Sequence, residues 1–388
     1  MARIWQGGAE LNSTSNNEEV DSNSGAGTIV TTPIVSGTYA WRVNPTATTQ
    51  FFRKQIYGSN QTKGGYLRVK VYISTLPDVE IQLIRFSNAT NGAKGYISLT
   101  AAGLLKLFNT AGSQVGSSSG ALSTGVWYVL ELKCDSTAAT GTLEARLDGV
   151  SFASGNNSDQ GSWARILWGA ITPNNASDIY FDDVALNDDQ GSFQTSWPGT
   201  TGKLIRLKPS AAGDVNSMLK DGGGAGDSNN FNKCNEVNPN DATNYVIGNV
   251  LSAEDMYNVN NSGIGSSDTV NCVTIGIRCT NNVADATTAI KVQVKKTSGG
   301  TISQGSAIIP NTTTWVTDGL AGTFLPTLVM YNDPDGNPWT QSTIDTMQIG
   351  QIVSSFGTNR IYITSIWAYV DYTPIDSAPQ RMLTGIGT

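Results

Sequence analysis

The sequence contains no histidine. That absence removes the commonest general base and the commonest neutral nitrogen ligand for metals. Ser-His-Asp, Cys-His and histidine-zinc chemistry are therefore excluded from this chain acting alone. Cysteine is scarce: Cys134, Cys234, Cys272 and Cys279 are the four present, and no CxxC occurs. A zinc ribbon or redox motif is not supported. Cys272 and Cys279 are seven apart in one strand pattern, so they point to opposite faces and cannot bridge each other there. Free, buried thiols and a reducing place of assembly are expected. Charge is also sparse, at 14% of residues against about 25% in ordinary soluble proteins. The net charge of −7 opposes binding by phosphate neutralisation, so no nucleic-acid partner is expected. No apolar run approaches the ~18 residues of a membrane helix, so no membrane partner is expected. The opening MARIWQGGAELNS has no apolar core of signal-peptide length; it is the free thiols that fit assembly in a bacterial cytoplasm.

What the chain has in quantity is glycine (42 residues), with serine, threonine and asparagine. That mixture suits short strands joined by many turns. In YLRVKVYI (66–73), Leu67, Val69, Val71 and Ile73 share one face, with Arg68 and Lys70 on the other. TYAWRV (38–43), DVEIQLIRF (78–86), GYISLT (95–100), LLKLF (104–108), VWYVLELKC (126–134), TLEARLDG (142–149) and RILWGAI (165–171) continue the first half. The second half offers KLIRLKP (203–209), TNYVIGN (243–249), VNCVTIGIRCT (270–280), TAIKVQVKK (288–296), SAIIP (306–310), MQIGQIVSS (347–355) and RIYITSIWAYVDY (360–372). Period-two alternation between Gly/Asn/Ser/Pro separators predicts an all-β protein of two tandem antiparallel sandwiches of jelly-roll type. One short helix is predicted at 341–346, because Thr340 and its neighbours offer a polar N-cap before Ile344.

The organising stretch is IYFDDVALNDDQGSFQTSWPG (179–199). Its first half reads as a closing strand, with Tyr180, Val184 and Leu186 on one side. Its second half reads as a stiff connector. The expected division is an N-terminal arm and first strand over 1–30, a first domain over 31–192, a hinge over 193–202, a second domain over 203–374 and a tail over 375–388. The Gly/Asn-rich segment 210–240 is expected to be an irregular loop, functional or packed on a neighbour.

Candidate chemistry is thin. Glu131 and Glu144 lie on adjacent strands, but no closely spaced acidic motif accompanies them, so glycoside hydrolysis is not expected. NDPDGNPW (332–339) lacks the register of a Ca²⁺ loop and reads as a tight turn. The glycine clusters are not phosphate loops. Trp41, Trp127, Trp163, Trp168 and Tyr128 could stack on sugars. Most should be core, and Trp163, in the loop-like SDQGSWAR, is the expected surface ring.

The run WYVLEL, GTLEARLDG and IYFDDVALND resembles concanavalin A-like, laminin-G-like jelly rolls. With RIWQGGAELNS before it and WPGTTGKLIRLKPSAAGD after it, most of the chain resembles tailed-phage virion proteins that join such a domain to a second β-sandwich. The resemblance implies a structural calcium held by Glu10 with Asp182 or Asp183, and no other cofactor. It implies a non-enzymatic virion protein that binds a major capsid protein or other virion proteins and copies of itself, with a trimer as the expected oligomer. The expected seat is the head exterior, as a decoration or cement protein. The alternative is a tail-fibre or receptor-binding adhesin that contacts a glycan.

Overall fold

The structure, a computed structural model, describes residues 2–15, 18–136, 141–156, 162–318 and 325–375. The expected C-terminal tail lies outside the described residues, apart from Ile375. The described chain is almost entirely strand, with one short α-helix, Gln341–Thr346. Thr340 caps that helix: its side chain accepts from the Thr343 backbone N–H and Thr343 reciprocates, which satisfies two donors the helix start leaves open. No helix among the described residues is long and apolar enough to cross a membrane.

Four antiparallel sheets stack as two sandwiches. The first sandwich has an inner sheet in the order Val150–Asn156, Thr142–Leu147, Trp127–Asp135, Gly64–Thr75, Asp178–Asp188, Ala40–Val43, Thr28–Val30, with Arg3–Gly7 also paired to Asp178–Asp188. Its outer sheet runs Gln114–Val115, Leu105–Phe108, Ala93–Leu99, Ile81–Ser87, Arg165–Asn174, Thr48–Gln55, Ser22–Ser24. Between them lies one apolar core that includes Leu67, Val69, Val71 and Ile73, the face expected from alternation, together with Trp41, Phe52 and Trp168. The second sandwich centres on Thr269–Asn281 and Ile361–Thr373 in one sheet and on Glu254–Val259 and Gln348–Ser355 in the other. Val273, Ile275, Ile277 and Cys279 all enter its core. Cys272, on the opposite face, instead reaches Gln6.

The strands depart from the expected pattern at Asp178–Asp188, over 210–240 and over 306–310. The Asp178–Asp188 strand carries a bulge between Asp182 and Ala185, with Asp183 at φ 48°, a left-handed conformation that aspartate tolerates. The bulge flips the alternation: Ile179 and Phe181 face the core before it, Val184 and Leu186 after it. Tyr180 therefore does not share the face of Val184 and Leu186. It points outward, against Tyr72 and Arg42. The segment 210–240 is not a wholly irregular arm. Pro209–Asn216 pairs with Glu254–Val259, and Asn230 is fully buried with its Nδ2 donating to Asp255 Oδ2 at 2.7 Å. Finally, SAIIP contributes only the isolated bridge Ile308–Ile290, not a strand.

The two inner sheets face each other across a buried polar seam. Arg3 donates to Asp371 Oδ2 at 2.6 Å, and Arg68 reaches the same oxygen at 3.3 Å. Gln6 Nε2 donates to Thr274 Oγ1, and the Tyr369 hydroxyl donates to Glu19. A small apolar cluster of Leu11, Leu204, Trp367 and Tyr369 lies beside them. Outward-facing polar residues of the first half thus become interior ones. The connector is pinned as well: Arg68 Nη1 donates to the Gly199 carbonyl, and Trp197 lies between Tyr66 and the Arg146 guanidinium, whose carbon sits 4.1 Å from the ring centroid.

Candidate functional site

Where the sequence-derived candidates fall decides which survive. Trp163 is fully buried, with its ring between Tyr57 and Phe86 at 5.3 and 4.9 Å. Its Nε1 donates to the Lys63 carbonyl at 2.9 Å. A ring closed on both sides cannot stack on a sugar, so the expectation of a surface Trp163 is corrected. The expectation rests on the polar composition of the residues before it in sequence, but Trp163 itself bridges to Gln61 and belongs to the core.

Glu10, Asp182 and Asp183 do come into one buried region, where burial first and then the Asp183 charge push Asp182 well above its ordinary value. Their oxygens, however, face donors. Glu10 accepts from the Thr38 and Tyr39 backbone N–H groups. Asp182 accepts from Val35 N–H at 2.8 Å. Asp183 accepts from Leu204 N–H and Ser36 Oγ–H, and lies 2.9 Å from Lys70 Nζ. Calcium needs six to eight oxygens, and N–H groups and an ammonium are the wrong polarity to supply them. Among the described residues no group of three or more acidic or thiol side chains is placed to hold a metal. The residues do not fit the calcium implied by the resemblance. They form a joint between the sandwiches instead.

Glu131 is buried beneath the connector, facing Arg146 and Arg68, and Glu144 accepts from Arg146 Nε at 2.7 Å. NDPDGNPW is a tight turn in which Asp333 accepts from the Asp335 and Asn337 N–H groups and pairs with Lys296.

The arrangement sequence reasoning missed lies on the outward face of the outer sheet. Antiparallel register sets Arg85 beside Tyr96, and Tyr96 beside Phe108. The next row sets Gln82 beside Ser98, and Ser98 beside Lys106. Side chains in such rows point the same way. Tyr96 and Phe108 stack with centroids 5.0 Å apart and planes 8° from parallel, and both are half-buried. They line an open depression of about 290 Å³ with Glu80, Gln82, Ser98 and Thr172. Glu80 accepts from Ser98 Oγ at 2.6 Å and from Lys106 Nζ at 2.7 Å. Burial works to raise its pKa, but those two bonds outweigh it and hold the carboxyl below its ordinary value. Tyr96 is raised, first by burial and then by the Glu80 charge, with Arg85 opposing.

Chemically this is a shallow apolar wall fringed by fixed donors and acceptors. Glu80 is the one carboxylate lining it, so the two-carboxylate arrangement of glycoside hydrolysis is not assembled there. Such a surface can hold a polyhydroxylated ligand by ring contact and hydrogen bonds. The strands were legible in the sequence. The pairing of Tyr96 with Phe108 is a matter of register, and the only sequence signal is that both stand at polar-parity positions of their strands.

No protein-family model matches the chain, and no curated protein matches its sequence. Solved structures give partial likenesses. A cellulose induced protein, Cip1, matches at 15% identity and TM-score 0.35 over 50% of this chain and 92% of its own. A carbohydrate esterase from Shiga toxin-encoding bacteriophage phi24B matches at 17% identity and TM-score 0.32 over 43% of this chain and 88% of its own. A Trypanosoma rangeli sialidase matches at 15% identity and TM-score 0.32 over 42% of this chain and 26% of its own.

Proposed function

We propose that this chain is a non-catalytic binding protein that recognises carbohydrate on the open face of its outer sheet. The observation that carries the reading is the stacked Tyr96–Phe108 pair standing beside Gln82, Ser98, Glu80 and Thr172 in one depression. Aromatic walls supply apolar contact to the C–H face of a sugar, and the polar fringe matches its hydroxyls. The chain's lack of histidine and the single lining carboxylate support binding over turnover. The fully buried seam, with Arg3, Arg68 and Asp371 joined across it, supports a stiff two-sandwich body that presents this face.

As the setting, we propose the surface of a tailed-phage particle, with other virion proteins and further copies of this chain, as a trimer, for partners. The sequence resemblance supports that setting. Of the two roles it implies, the aromatic depression favours the receptor-binding adhesin over the capsid decoration protein.

The test is a glycan array probed with the wild-type chain and with Tyr96→Ala and Phe108→Ala. Retention of a defined glycan set by the wild type, weakened about two- to tenfold by either change, supports the reading, since a stacking contact contributes roughly 0.5–1.5 kcal/mol beyond its area. Absence of any retained glycan, or binding indifferent to both changes, overturns it.

A further inference from the structure

Beside the aromatic depression, three arginines converge without an acid to meet them. Arg53 and Arg85 flank Leu167 in register, in the same row that continues to Tyr96. Arg165 stands in the neighbouring row, opposite Gln55 and Ser87. All three guanidiniums reach one residue, Asn91, at the tip of the Asn88–Gly92 turn. Arg165 Nη1 donates to Asn91 Oδ1 at 2.7 Å, Arg53 Nη1 approaches the same atom at 3.5 Å, and Arg85 Nη2 donates to the Asn91 carbonyl at 3.3 Å. The loop tip gathers them with neutral oxygens only.

Arg206 likewise meets only carbonyl and hydroxyl oxygens, but it stands alone, and other arginines of the chain find an acid. Arg3, Arg42, Arg68, Arg146 and Arg278 each form an ion pair with a carboxylate. Among the described residues, no carboxylate lies within ion-pair distance of Arg53, Arg85 or Arg165. Asp21 acts on Arg165 from a distance, but its own oxygens go to Gln55 N–H and towards Lys54. Arg53 Nε and Arg165 Nε are both shielded from solvent and have no hydrogen-bond partner. Leu167, between the arginine stems, is 1% exposed although it belongs to the outward row, so the stems lie over it and hold the heads in place. Burial lowers the pKa of Arg85 and Arg165, and Arg53 lowers that of Arg165 further. Such crowding of like charge is relieved by a bound anion.

We infer that Arg53, Arg85 and Arg165 form a carboxylate-binding subsite, and that the glycan held against Tyr96 and Phe108 is an acidic one that carries a uronic-type carboxylate. The guanidinium fork matches a planar carboxylate with two parallel hydrogen bonds. Arg85 is the register partner of Tyr96 and its Nη1 donates at 2.9 Å to Gln82 Oε1, which lines the depression, so a sugar ring on the aromatic pair can place its carboxylate on Arg85. The inference rests on the carbohydrate reading above and names its ligand class.

The experiment titrates the full chain by calorimetry with oligogalacturonate, with the same oligomer methyl-esterified, with a neutral oligosaccharide and with dextran sulfate. Expected are binding of the free acid, a loss of about tenfold or more on esterification, and a similar loss for Arg85→Gln and Arg165→Gln with thermal melting unchanged. Esterification alters the ligand alone, so the test stands even where a variant fails to fold. Equal binding of acid and ester, or of dextran sulfate and the acid, overturns the carboxylate subsite. Neutral-sugar binding that is lost in Tyr96→Ala but indifferent to the arginines overturns this inference and leaves the carbohydrate reading intact. Binding of none of the four overturns this inference, and the carbohydrate reading falls with it where the glycan array also retains nothing.

Discussion

Arg3 Nη1 lies 2.6 Å from Asp371 Oδ2, so the first and last strands of the described residues are tied by an ion pair with both side chains fully buried. Arg68 shares the same oxygen and Asn271 Nδ2 donates to the other. Burial of Asp371 works to raise its pKa, but Arg3 and Arg68 outweigh it and hold the carboxyl below its ordinary value near 3.8. Removing one member of a buried pair is worse than never having it, because the survivor stays charged and dry. Asp371→Asn strands two guanidiniums and is expected to lose about 3–5 kcal/mol, read as a fall in the urea midpoint. The depressed folded pKa makes this contribution fully present above pH 3.8 and lost as pH falls through the lower folded value. Wild type should therefore lose stability relative to the variant on acidification below pH 4. Parallel profiles would refute the assignment.

Trp163→Ala should act on stability, not on ligand binding. Emptying the space between Tyr57 and Phe86 costs about 3–5 kcal/mol. Differential scanning calorimetry should show a clearly lower melting temperature. Glycan affinity of the fraction still folded should equal that of the wild type.

The contrast between Trp163 and Tyr96 shows where sequence reading stops. Alternation located the Gly64–Thr75 strand and its core face correctly, because Leu67, Val69, Val71 and Ile73 are apolar at every second position. The same rule assigns Arg68 and Lys70 to the opposite face, but it cannot say that another sheet covers that face. Thr48–Gln55 and Glu254–Val259 went unseen as strands for a related reason. Lys54 points inward beneath Trp5, and Asp255 and Tyr257 bond to each other inside the second sandwich, so neither stretch alternates cleanly. The candidate site is further from view. Arg53, Arg85 and Arg165 are spread over more than a hundred positions, and only strand order brings them to Asn91. A partial signal existed: Arg53 follows Phe52 and Arg85 precedes Phe86, each an outward cation next to an inward ring.

Glu10 offers a pH test that also bears on metal. Burial pushes its carboxyl up to about 8, against the N–H bonds from Thr38 and Tyr39, with Glu19 adding to the rise and Arg206 opposing it. A raised folded value means that the folded state holds the proton more tightly than the unfolded one. The contribution is fully present below pH 4.5 and is lost as pH rises towards 8, at no more than about 1.4 kcal/mol per pH unit. Glu10→Gln cannot titrate, so its stability relative to wild type should increase across that window, as measured by chemical denaturation. Since the carboxylates here meet donors, millimolar calcium or chelator should leave the melting temperature of wild type unchanged. A calcium-dependent rise would reverse the reading of the joint.

Gly276 and Trp367 face each other as register partners on the two central strands of the second sandwich's inner sheet. A Cβ at Gly276 would lie 2.2 Å from Trp367 Cε2, far inside contact distance. The ring cannot retreat freely, because Trp367 is 1% exposed, clusters with Leu11 and Leu204, and lies under the Arg206 guanidinium. Gly276→Ala should therefore push the ring into the seam and cost about 1–3 kcal/mol by overpacking. The change at Gly276 carries no backbone strain of its own, so the loss should depend on the ring: in a Trp367→Leu background the same substitution should cost much less. The coupling between the two sites, obtained from a double-mutant cycle, is then expected to reach roughly 0.5–3 kcal/mol. Additive effects would mean that the indole is not what the missing side chain makes room for.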